Sequence, residues 1–129
     1  MKKFILTIFF VLTTIYCQSQ IALGYSFNDV KTMMTTAGHI LDEGVTEKDN
    51  IRYITAYGSE LMRLYFFTEN NVCFLYVYAV KNSTYRDHEQ VILKEGYRVV
   101  KDGYVNDQYF VRIFYNDKLG LWCTSFVYK

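Results

Sequence analysis

A hydroxyl residue, an aromatic, any residue and an aspartate occur twice, as Ser26-Phe27-Asn28-Asp29 and Thr84-Tyr85-Arg86-Asp87. Each is followed at the same distance by a glycine, Gly38 or Gly96. The frame constrains the fold because every part of it is a helix-boundary signal. The hydroxyl accepts from an orphan backbone N–H, and aspartate at the third helical position favours the positive end of the dipole. The glycine suits a left-handed C-terminal cap. Between these markers, Val30, Met33, Met34 and Ala37 in one copy and Val91, Ile92 and Leu93 in the other supply apolar residues at helical spacing. Two short helices in a repeated frame imply a duplicated unit.

Strand-like segments follow each helix. Residues 61–66 align with residues 110–115, and Asn70-Asn71 and Asp117-Lys118 mark hairpin turns. The two halves differ in spacing around residues 41–50, which read as a charged loop nearly absent from the second half. Each half therefore reads as one helix and three strands, repeat 1 over about 26–80 and repeat 2 over about 84–128. Short turns make the sheet mainly antiparallel with both helices on one face, an α+β two-layer sandwich. Zero Pro and 19% aromatic residues suit strands, and no linker-like stretch divides the chain, so residues 20–129 are expected to form a single domain. In layout alone, tandem helix-and-sheet units are similar to inhibitors such as the β-lactamase inhibitory proteins. No motif residue carries over.

Strand parity assigns the two faces. In the first half Met62, Leu64, Phe66, Cys73, Leu75 and Val77 are expected beneath the helices. The same alignment puts Val111, Ile113, Tyr115, Trp122, Thr124 and Phe126 there in the second half. The opposite face then carries Arg63, Tyr65, Phe67, Phe74, Tyr76 and Tyr78, with Phe110, Arg112, Phe114, Cys123, Ser125 and Val127. Tyr and Arg are favoured at interface hot spots, and exposed apolar patches mark contact surfaces. The expected binding residues are thus Arg63, Tyr65, Phe67, Phe74, Tyr76, Tyr78, Phe110, Arg112 and Phe114.

The N-terminus supplies the parts of a secretory signal. Lys2 and Lys3 precede an apolar run over residues 4–15, too short for the roughly 20 residues that span a bilayer. Cys17 and Ser19 are small residues placed for cleavage before Gln20. Residues 1–19 are therefore expected to be a cleaved signal peptide of bacterial type, with a secreted or periplasmic product. Tyr16 is bulky where lipoprotein processing at Cys17 wants a small residue, which counts against acylation. Cleavage takes Lys2 and Lys3 from the 14 Lys+Arg, against 13 Asp+Glu. The near-neutral remainder has no basic footprint for nucleic acid and no second apolar segment for a membrane span.

Catalytic signals are weak. Parity places Cys73 and Cys123 on opposite faces, so no disulfide is expected. His88 stands at the place of Val30 in the repeat, which suggests a buried structural histidine, and His39 follows the Gly38 cap. Neither has a second ligand at zinc spacing. Asp42, Glu43, Glu47 and Asp49 form an acidic group without a calcium-loop pattern, interrupted by Lys48. Asn82-Ser83-Thr84 is formally a glycosylation sequon. No cofactor and no metal are expected. The expectation is a binding module for a protein partner or for a second copy of the chain, with a glycan on the tyrosine rings as a further candidate ligand. The alternatives are a small hydrolase using His88 or His39, and a homodimer whose aromatic interface is purely structural.

Overall fold

The two helix frames fold as their boundary residues dictate. In the computed structural model, which describes residues 21–129, helix α1 is Phe27–Thr36 and helix α2 is Tyr85–Lys94. Ser26 caps α1 by accepting from the Asp29 N–H at 3.1 Å. Thr84 and Asp87 form a complete capping box on α2, each backbone N–H donating to the other side chain. The helix ends match as well. Gly38 and His39 donate to the carbonyls of Thr35 and Met34, as Gly96 and Tyr97 do to Leu93 and Ile92. Gly38 and Gly96 adopt φ of 84° and 90° there, where a Cβ is disfavoured.

Among the described residues eight antiparallel strands make one sheet. They are β1 Ile40–Val45, β2 Arg52–Tyr57, β3 Leu61–Phe67, β4 Cys73–Val80, β5 Arg98–Val100, β6 Gly103–Val105, β7 Tyr109–Asn116 and β8 Leu121–Tyr128. Their order, β1-β2-β3-β4-β8-β7-β6-β5, joins two four-stranded halves through the central β4/β8 pair. Both helices pack on one face. Phe27, Val30 and Met34 of α1 and Ile92 of α2 share a core with Tyr65, Tyr76, Tyr78, Val111 and Phe126 of the sheet. The two-layer α+β architecture is therefore the one the duplicated helix frame implies.

Two local expectations are corrected. Each unit has four strands rather than three, because residues 40–45 form β1 and not a charged loop. The second half keeps a shorter version of that hairpin, with three residues in each of β5 and β6 against six in each of β1 and β2.

The second correction concerns the faces of the first half. Arg63, Tyr65, Phe67, Tyr76 and Tyr78 lie beneath the helices, and Met62, Leu64, Phe66, Leu75 and Val77 lie on the opposite side. The Met62 set is the more apolar of the two, and apolar content alone selects it as the buried one. Since side chains alternate with period two, one wrong choice inverts the whole strand. Apolarity misleads here because both faces of β3 and β4 carry large apolar side chains. Cys73 still reaches the helix side, because the register shifts at Phe66/Phe67. In the second half Val111, Thr124 and Phe126 are buried on the helix side, as expected.

Candidate functional site

The aromatic residues expected to form a single exposed face are divided between the two layers. Tyr65, Tyr76 and Phe126 stack in series under the helices, with ring centroids 5.0 and 5.6 Å apart. Arg63 is 7% exposed, and its Nη1 reaches the Met34 sulfur at 3.9 Å. The Tyr65 hydroxyl donates to the same sulfur at 3.5 Å. Burial pushes the phenols of Tyr65 and Tyr76 upward, and the positive charge of Arg63 offsets this only in part. Among the described residues the Arg63 Nε and the Tyr76 hydroxyl make no hydrogen bond of regular geometry, although Arg63 stands near enough to the Tyr76 phenol to offset part of its rise. Phe74 is exposed beside the register shift, while Phe110, Arg112 and Phe114 lie on the face away from the helices.

Among the described residues no helix packs on that open face. Met62, Leu64, Phe66, Leu75 and Leu121 are partly exposed around the buried Val77, Ala79 and Cys123. Register places Asp42, Thr55, Leu64, Val77, Ser125 and Arg112 on one row across six strands. The row reads acid, hydroxyl, aliphatic, aliphatic, hydroxyl, base. Its midpoint falls between β3 and β4, and its two charged ends are exposed. Sequence reasoning missed this row because it needs the strand order as well as the parity.

His88 is held in a hydrogen-bonded chain. Ser83 Oγ donates to the Val80 carbonyl at 2.7 Å, so at 2.8 Å it accepts from His88 Nε2. The other nitrogen, Nδ1, then accepts from the Thr124 hydroxyl at 2.7 Å. The imidazole also stacks on Tyr78, with centroids 5.5 Å apart. Burial holds the ring down at about 4, and the nearby Asp87 charge counteracts this only weakly. A neutral histidine with both nitrogens engaged ties α2 to the sheet. His39 Nδ1 meets the Tyr57 carbonyl at 3.4 Å.

A second aromatic group lies at the start of α2. Tyr85 and Tyr115 both pack near-perpendicular to Trp122, with centroids 5.6 and 5.4 Å away. The Tyr85 and Tyr104 hydroxyls share a hydrogen bond, and Tyr104 donates to the Glu89 carboxylate. Burial of the phenol raises Tyr104, and the Glu89 carboxylate adds to it.

The acidic residues do not converge. Asp42 and Glu43 are consecutive on β1 and project to opposite faces, and Glu43 pairs with Lys31 at 3.0 Å. Among the described residues no group of three His, Cys, Asp or Glu could hold a metal ion. Cys73 and Cys123 are both free and buried, on opposite sides of the sheet, with thiols pushed up to about 12 and about 11. No helix of the described residues is long and apolar enough to cross a membrane. The expected signal peptide lies outside the described residues. Comparison with protein-family models, curated proteins and solved structures finds no match.

Proposed function

We propose that the chain is an exported, non-catalytic protein-binding module that works as a dimer, two copies packing their open sheet faces together. The observation that carries this reading is the row from Asp42 to Arg112. A twofold axis along the strands, between Leu64 and Val77, superposes the row on itself in reverse. Asp42 of each copy then meets Arg112 of the other, Ser125 lies over the buried Thr55, and Leu64 lies over Val77. A patch that is its own complement is what an isologous interface requires. Face-to-face sheets interdigitate their side chains in this way at a spacing of about 10 Å. The near-neutral, largely apolar patch suits protein better than nucleic acid. Export rests on the Lys2-Lys3 start and the apolar run over residues 4–15.

The test is sedimentation velocity of the mature chain. A dimer is expected for the natural sequence, weakened by Arg112→Asp and restored when Asp42→Arg is added. Full-length expression with mass analysis of the exported product checks cleavage before Gln20. An uncleaved product would contradict the export reading and leave the dimer reading intact.

A further inference from the structure

The two halves differ in one respect that bears on ligand binding. In the first half β2 runs along the outer edge of β3, pairing Arg52 with Phe67. The Arg52 guanidinium carbon stands 3.5 Å from the centroid of the Phe27 ring, and Phe27 packs edge-on against Phe67 at 5.0 Å. An aromatic pair at the start of a helix is thereby covered by a cation delivered on a neighbouring strand.

In the second half Tyr85 holds the place of Phe27, as the first residue of its helix. The cross-strand pair Tyr115 and Trp122 holds the place of Phe67 and Cys73. The shortened β6 pairs with β7 only at Val111 and Phe110. Among the described residues no strand lies along the outer edge of residues 113–116, and the position of Arg52 has no counterpart. As a result Tyr85 and Tyr115 are 40% and 49% exposed. Glu89, one helical turn beyond Tyr85, holds a carboxylate at the same place through Tyr104.

We propose that this edge binds an extended polypeptide segment that pairs antiparallel with residues 113–116 of β7 and carries a lysine or arginine opposite Tyr115. The backbone edge supplies strand addition, and Tyr85, Tyr115 and Trp122 receive the cation with Glu89 as its counter-charge. The first half thus makes within the chain the contact that the second half makes with a ligand. The site is on the outer edge and the helix side, apart from the open face, so its failure would leave the dimer reading standing.

The chain has one tryptophan, so its emission reports on Trp122. The probe is the capped peptide Ile-Arg-Tyr-Ile, copied from residues 51–54, titrated into the mature chain. The control peptide has glutamine in place of arginine. A saturable change in emission is expected with the arginine peptide, at least fivefold weaker with the glutamine peptide. Tyr115→Ala and Glu89→Gln should each weaken binding of the arginine peptide several-fold while keeping the natural circular dichroism. No saturable change at millimolar peptide, equal affinity for the two peptides, or full affinity in the Tyr115→Ala chain would overturn the proposal.

Discussion

The His88 Nδ1 and the Thr124 hydroxyl are 2.7 Å apart, which fastens α2 to the strand at the centre of the sheet. Thr124 pairs with Tyr78 on β4, the strand that meets β8 across the boundary of the two halves. Through the Tyr78 stack, the imidazole holds one repeat against the other. The equivalent place in α1 is taken by Val30, which is fully buried and needs no partner.

This arrangement makes stability depend on pH in a defined window. His88 is held down at about 4, against about 6.5 for a free histidine. As pH falls the unfolded chain takes up the proton first, so the contribution is complete above about pH 6.5 and lost by about pH 4. The difference corresponds to roughly 3 kcal/mol. Urea unfolding of the natural chain and of His88→Gln, followed from pH 7 to pH 4.5, measures it. The natural chain should lose more stability over that interval; parallel profiles would remove His88 from the account.

Arg63 carries a positive charge in the core, where it meets the neutral Met34 thioether and the Tyr65 and Tyr76 phenols, and among the described residues no carboxylate pairs with it. Replacing buried charge by an apolar group of similar volume is often stabilising. Arg63→Met should therefore leave the urea midpoint unchanged or raise stability by about 1 kcal/mol. A loss of more than 1 kcal/mol would show that the guanidinium has a favourable role in the core.

The repeated caps give paired expectations. Ser26→Ala and Thr84→Ala should each cost about 1 kcal/mol, with the larger loss at Thr84, where the box is reciprocal. Gly38→Ala and Gly96→Ala should cost a similar amount, because both sites demand positive φ. Chemical denaturation of the four variants is the check. Insensitivity at one member of a pair would mean that the two helices are not stabilised alike.

How much of this was legible in the sequence follows from the range of each signal. Caps are local, so Ser26, Thr84, Gly38 and Gly96 located both helices. The layer arrangement followed, since a sheet with two short helices can cover only one face. Face assignment in β3 and β4 failed because both of their faces carry large apolar side chains, and parity turns one wrong choice into a full inversion. The β5/β6 hairpin was missed because three-residue strands carry almost no periodicity. Of the expected binding residues, Phe110, Arg112 and Phe114 lie on the open face and Phe74 is exposed beside it. Arg63, Tyr65, Phe67, Tyr76 and Tyr78 serve the core instead, because a tyrosine-rich interior looks the same in sequence as a tyrosine-rich surface. The self-complementary row spans six strands from both repeats, and only the strand order brings its members together.

The pairing of open faces is tested most directly by a charge exchange between Asp42 and Arg112. Sedimentation velocity of the natural mature chain at tens of micromolar should find a dimer. Asp42→Arg or Arg112→Asp alone places like charges opposite each other and should weaken dimerisation at least tenfold. Combining the two should restore it to within a few-fold of the natural affinity. A natural chain that stays monomeric at every concentration, or a double variant no better than the singles, would contradict the account.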